Sequence, residues 1–142
     1  MGKFAFCMVK MKWATPDAGL LSVRLGLAAV FITHGAMKLA SVAGVMAMFV
    51  KFGMPGWLGV VVGIIELLGG AAMLVGAYTR YAGYALAAVM VGAILTMKWK
   101  MGFTGGWEFE FTLLTAAIGM AWMGPGEYSV KMPEKMFKIS LR

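Results

Sequence analysis

The sequence VRLGLAAVFITHGAMKL, at residues 23–39, decides the fold class. Its ionisable residues are Arg24, His34 and Lys38, and with its apolar flanks it is long enough to cross a bilayer core of about 30 Å as a helix. A charged side chain at the bilayer centre costs about 2.5 to 3.5 kcal/mol on insertion scales, so it persists there when it is paired or faces a bundle interior. We therefore expect these side chains to face other helices.

The positions of these residues predict which face of the helix is buried. At 100° per residue, Arg24, Phe31, Gly35 and Lys38 fall on one stripe, and His34 lies beside it. A second apolar run, at residues 57–78, carries Glu66 near its middle. Its glycines let another backbone approach closely, so we expect Glu66 to point at a neighbouring helix. The glycines predicted to form this packing surface are Gly59, Gly63, Gly69 and Gly70.

The composition places the whole chain in the membrane. Of its 142 residues, 61% are hydrophobic and 13% are charged, which is more apolar side chain than a soluble domain of this length can bury. The single Cys7 excludes an internal disulfide, and one histidine leaves no usual metal-site spacing, so we predict no metal site and no cofactor held by this chain alone. The net charge of +7 favours anionic lipid head groups, and not nucleic acid, as the partner of its basic residues.

Four apolar segments predict an all-α, integral membrane, antiparallel four-helix bundle within residues 16–126. The spans are expected at about residues 18–40, 57–78, 81–97 and 107–123, and Gly83 and Gly92 are expected to help the third one pack. The segment at residues 41–50 is too short to span and ends at a Gly-Met-Pro-Gly turn signal. It predicts a short interfacial or re-entrant helix between the first two spans, covering the outer mouth of the bundle.

Basic residues outside the spans predict the topology. Residues 1–15 form a basic interfacial arm, and residues 127–142 form a basic tail. Lys and Arg are more frequent on these ends and at Arg80 than in the other two connections, which favours cytoplasmic termini in the cell inner membrane.

The outer half of the predicted bundle contains a candidate site. His34 and Glu66 lie about 9 Å and about 13 Å from the outer ends of their spans, so their depths allow contact. Glu108 and Glu110 begin the fourth span in the same half. A histidine beside a carboxylate is suited to hold a quinone carbonyl, and a pocket is expected beneath residues 41–50.

Two other interpretations use the same residues. Arg24, His34, Lys38 and Glu66 could form a buried network that fixes helix register and binds no substrate. A proton path through the bundle is the third interpretation.

A series of short motifs runs through about residues 23–130. They are Arg24-Leu25-Gly26, Phe31, His34-Gly35, Lys38-Leu39, Phe52-Gly53-Met54-Pro55, Glu66-Leu67, Gly69-Gly70, Thr79-Arg80, Gly105-Gly106 with Glu108, Gly124-Pro125-Gly126 and Ser129. In this order and spacing the chain resembles the DoxX family of small four-helix membrane proteins, which is related to the DoxD subunit of thiosulfate:quinone oxidoreductase. The resemblance implies an accessory or quinone-facing subunit of a membrane oxidoreductase assembly, and it assigns no catalytic residue.

These observations lead to three functional hypotheses. The first is a structural or accessory subunit of a larger membrane complex, an oxidoreductase assembly, whose partners are other membrane subunits. The alternative is a subunit that binds a quinone near His34 and Glu66 and receives electrons from a partner. A small-molecule transporter is the third hypothesis, which the lack of a symmetric pair of broken helices disfavours.

Overall fold

The computed structural model describes residues 15–130, which contain helices and turns and no strand. The helices are α1 (Pro16–Ala40), α2 (Val42–Lys51), α3 (Trp57–Val75), α4 (Thr79–Ala93) and α5 (Glu108–Met123). A π-helical turn at Ile94–Lys98 extends α4, and a 3₁₀ turn at Trp99–Met101 and an irregular turn at Phe103–Trp107 lead into α5. The predicted all-α class is confirmed.

Within this part of the chain, three helical stretches are long and apolar enough to cross a membrane. They are Pro16–Ala40, Trp57–Val75 and Thr79–Met101. With 16 residues, α5 is shorter. α1 contacts α3, α3 contacts α4, α4 contacts α5, and α5 returns to α1, so the four longer helices form a bundle. The short α2 packs on α3 and α1, in the segment where a short helix is predicted.

The N-terminus of α1 has the residues that favour a helix start. Thr15 is the N-cap, and its side chain accepts a hydrogen bond of 3.2 Å from the backbone N–H of Ala18. Pro16 occupies the first helical position, where its missing N–H costs nothing, and Asp17 lies in the first turn near the positive end of the helix dipole. The buried side of α1 includes Arg24 and Phe31, as the stripe predicts.

Close approach between the helices depends on glycines, which have no side chain. A Cβ atom on any of the four glycines singled out in α3 would meet a neighbouring helix. The nearest atoms would be Phe49 Cδ2 at 2.8 Å for Gly59, Lys38 Cβ at 3.1 Å for Gly63, Leu86 Cδ2 at 2.8 Å for Gly69 and the Ile32 backbone nitrogen at 2.8 Å for Gly70. These atoms belong to α2, α1, α4 and α1, so α3 touches three helices through its glycines.

The two glycines singled out in the third span differ. A Cβ on Gly83 would lie 2.7 Å from the carbonyl oxygen of Ala117, so α4 and α5 approach closely there. Within residues 15–130 nothing lies within 4 Å of a Cβ on Gly92, so the expectation that Gly92 helps α4 pack against this part of the chain is wrong.

The bundle has two distinct ends. The Arg24 end comprises the start of α1, the turn between α3 and α4, and residues 124–130. The Lys38 end comprises α2, the end of α1, the start of α3 and residues 94–107. Most of the predicted N-terminal arm, residues 1–14, and the tail from residue 131 onward lie outside the described residues.

Candidate functional site

Arg24 is held by backbone carbonyl groups at the Arg24 end. Its side chain is 1% exposed. Nε donates to the carbonyl of Met73 at 2.9 Å and Nη2 to that of Leu74 at 3.1 Å, while Nη1 donates to Pro125 at 2.9 Å and to Tyr128 at 2.7 Å. The guanidinium therefore joins the last turn of α3 to the segment that follows α5. Because its partners are carbonyls, Arg24 does not belong to one network with Lys38 and Glu66.

Gly76, which is not among the residues predicted from the sequence, makes room for this arrangement. Its φ is +77°, in the left-handed region, and a Cβ there would lie 2.5 Å from Nη2 of Arg24. The available sequence signal was a glycine directly after an apolar helical run, which is a common helix C-terminus. The segment that follows α5 is also attached to α1, because Asp17 Oδ1 accepts a 3.0 Å hydrogen bond from the backbone N–H of Glu127.

Lys38 and Glu66 form an ion pair between α1 and α3 near the Lys38 end. Their Nζ and Oε2 atoms are 2.5 Å apart, and the side chains are 19% and 4% exposed. Glu66 therefore points at a neighbouring helix, but its partner is Lys38. No hydrogen bond or ion pair joins His34 to Glu66 within residues 15–130, although both line the cavity described below. The His34 ring instead lies 6.4 Å from that of Phe109.

A second, more exposed ion pair links the π-helical turn after α4 to α5. Lys98 Nζ is 3.5 Å from Glu110 Oε1, and the Lys98 side chain is 37% exposed. The other Glu110 oxygen, Oε2, is buried and has no hydrogen-bond partner in the described part of the chain. Glu108 has a different role, because its Oε1 accepts a 3.0 Å hydrogen bond from the Gly105 backbone N–H in the irregular turn.

A cavity of about 510 Å³ lies at the Lys38 end and joins the two ion pairs. Its ionisable lining consists of His34, Lys38, Glu66, Lys98 and Glu110, whereas Arg24 and Glu108 are not part of it. The rest is mainly apolar, and α2 contributes Met48 and Phe49. Small-molecule sites commonly have volumes of about 300 to 1,000 Å³, apolar walls and a few polar groups. The cavity therefore has the size and chemistry of a site for a small, largely apolar molecule.

The described residues hold no group of three His, Cys, Asp or Glu side chains placed to bind a metal ion. The polar groups of the cavity include the two ion pairs and the His34 ring. An apolar ring with carbonyl groups is the kind of molecule that such a lining can hold.

The fold and the cavity define a small, multi-pass helical membrane protein with an apolar site that contains ion pairs. Residues 19–99, more than half of the chain, match the DoxX family model, and the chain belongs to the DoxX family. A Bacillus subtilis (strain 168) protein named "Putative oxidoreductase CatD" is 34% identical over 108 residues, which cover 76% of this chain and 81% of that relative. No solved structure matches the chain.

Proposed function

We propose that this protein is a membrane subunit of an oxidoreductase and that it binds a quinone-type molecule beside Lys38 and Glu66. The observation that supports the proposal is the apolar cavity of about 510 Å³ in which this buried ion pair is accessible. The oxidoreductase name of the Bacillus subtilis relative agrees with it. In this proposal the protein lies in the cell inner membrane, with both termini in the cytoplasm.

The ion pair supplies the chemistry that a quinone head group needs. A quinone has a flat apolar ring and two carbonyl acceptors, while a lysine ammonium has three N–H donors. Lys38 donates to Glu66, and no other residue in the described part of the chain accepts from its Nζ, which leaves two N–H groups for a carbonyl of the ligand. The Glu66 carboxylate balances the lysine charge in a surrounding that is otherwise apolar.

Electrons must reach the ligand from another subunit in this proposal. Reduction of a quinone to a quinol takes two electrons and two protons, and a partner with a redox group would supply the electrons. We therefore expect the chain to assemble with other membrane subunits, and its basic ends to contact anionic lipids.

An accessory subunit without a ligand is the second candidate function. It is favoured by the way in which Lys38 and Glu66 satisfy each other, because a buried ion pair can fix helix register without binding anything.

Binding of a quinone to the purified full-length chain in nanodiscs separates the two candidates. We expect a decyl benzoquinone to quench the intrinsic tryptophan fluorescence of the wild type, and Lys38→Met to weaken binding about tenfold, because one charge-assisted hydrogen bond is lost. Lys51→Met is the matched control, since Lys51 is exposed on α2 and does not line the cavity. Unchanged binding by Lys38→Met would refute the proposed contact, and absence of binding by the wild type would favour the accessory role.

A further inference from the structure

The cavity reaches the lipid-facing surface between α3 and α4. Four of its lining residues on α4 and the following turn, Ala85, Ala88, Gly92 and Thr96, are exposed. They follow one another at intervals of three or four residues, so they share one face of the helix, and from first to last they extend for about 16 Å. We call this surface the α4 groove.

Gly92 is the residue of the groove that packing does not explain. It lies inside α4, where glycine is unfavourable, and its φ is outside the left-handed region. No atom lies within 4 Å of the place where its Cβ would be. Gly83 on the same helix, in contrast, is required by its contact with α5. The missing side chain at position 92 thus leaves open space beside the cavity.

The groove offers an apolar path. Its side chains are alanine and threonine, and the Thr96 hydroxyl donates its proton to the carbonyl of Gly92 at 2.7 Å. The opposite side of the bundle, between α1 and α5, also has exposed lining residues, but these are the rings of His34 and Phe109. A flexible apolar chain is therefore accommodated better between α3 and α4, where the wall is small and non-polar.

From this geometry we infer that the ligand carries a long apolar tail, which leaves the cavity along the α4 groove and ends among the lipid acyl chains. The inference rests on the proposed function and adds the ligand class: a membrane-dissolved molecule with an alkyl or prenyl tail. Its head group lies near Lys38 and Glu66, and it enters from the bilayer without passing through water.

The test compares two benzoquinones with the same head group, one with a decyl tail and one with none. Gly92→Phe places a bulky side chain in the groove, and its Cβ meets no described residue within 4 Å. Val91→Phe is the matched control, since Val91 is 41% exposed on the same helix and does not line the cavity. Binding to the full-length variants in nanodiscs is measured by tryptophan quenching, and thermal unfolding verifies that both variants fold.

We expect the wild type to bind the decyl compound at least tenfold more tightly than the tail-less one. Gly92→Phe should remove most of that difference and leave the tail-less compound unaffected, while Val91→Phe should change neither. Equal binding of both compounds by the wild type would overturn the tail path. The same conclusion would follow if Gly92→Phe weakened the binding of both compounds equally, or weakened the binding of neither. In each of these cases the proposed quinone site would stand. If the wild type binds neither compound, the proposed function itself fails.

Discussion

Two cations on the same face of α1 have opposite surroundings. Arg24 and Lys38 are 14 residues apart, about 21 Å along the helix. Arg24 donates to four backbone carbonyls and is 1% exposed. Lys38 donates to the single carboxylate of Glu66, and both side chains line a cavity.

The contrast between the two sites shows how a structural charge can be distinguished from a functional one in a membrane bundle. The planar guanidinium has five N–H donors in a fixed fork, and four of them bind fixed backbone carbonyls in a site that is almost fully buried, so little is left for a ligand. The lysine ammonium has rotatable donors beyond the one that faces Glu66, and open space lies beside it. Both sites contain a buried charge. They differ in the number of N–H donors that the protein leaves unused and in the volume of the cavity beside the charge.

The largest expected effect comes from Arg24→Met. The variant loses four charge-assisted hydrogen bonds, one of them buried and three half-buried, so the free energy of unfolding should fall by about 4 kcal/mol or more. Unfolding in mixed detergent micelles measures it. Arg80→Met, an exposed arginine on α4, is the control and should stay within about 0.5 kcal/mol of the wild type. A loss below about 1 kcal/mol for Arg24→Met would mean that the Arg24 end is not held by this side chain.

The next effect is expected for Glu66→Gln, which leaves the Lys38 ammonium without its counter-charge. Removing one partner of a buried ion pair costs about 3 kcal/mol or more, whereas replacing both partners by apolar residues is close to neutral. We therefore expect the double variant Lys38→Met/Glu66→Leu to unfold within about 1 kcal/mol of the wild type. If the double variant were as unstable as Glu66→Gln, the Lys38 end would be as structural as the Arg24 end.

The sequence was sufficient to predict which faces of the helices carry the charged side chains. Charge in lipid is costly whatever the tertiary structure, so the stripe from Arg24 to Lys38 and the inward direction of Glu66 follow from helical spacing alone. The all-helical membrane class follows from composition for the same reason. Each of these predictions depends on residue spacing or composition and requires no knowledge of how one helix packs against another.

Partners between helices could not be predicted in this way. The carbonyls that bind Arg24 are 49 to 104 residues away along the chain, and every residue carries a carbonyl, so no sequence signal marks them. The choice of Lys38 over His34 as the partner of Glu66 depends on how α1 is rotated against α3. Gly83 and Gly92 look alike in the sequence, and only the tertiary structure shows that a Cβ would meet α5 at the first and no described residue at the second.

A smaller effect tests whether α1 and α3 are tightly packed beside the cavity. A Cβ on Gly35 would lie 2.6 Å from the backbone nitrogen of Leu67, so Gly35→Ala should push α1 from α3 and cost about 1 to 3 kcal/mol in unfolding free energy. Gly26→Ala is the control on the same helix, because nothing lies within 4 Å of its Cβ, and it should gain up to about 1 kcal/mol. Similar values for both variants would show that α1 and α3 are not tightly packed beside the cavity.

The smallest effect on unfolding is expected at the second ion pair of the cavity. Lys98 and Glu66 both belong to ion pairs that line the same space, but the Lys98 side chain is 37% exposed and lies 3.5 Å from its partner, whereas that of Glu66 is 4% exposed. Exposed pairs contribute about 1 kcal/mol or less and are screened by salt. Lys98→Met should therefore lower the free energy of unfolding by no more than about 1 kcal/mol, and less still at high ionic strength.

Lys100→Met, in the adjacent 3₁₀ turn, is the control for loss of a positive charge in this region. The loss caused by Glu66→Gln should persist at the same ionic strength, because the Glu66 side chain is 4% exposed and a buried charge is screened by salt much less than an exposed one. A salt-independent loss of about 3 kcal/mol for Lys98→Met would contradict this ranking. The π-helical turn would then be held as firmly as α1 and α3, and burial would not be the property that separates the two ion pairs.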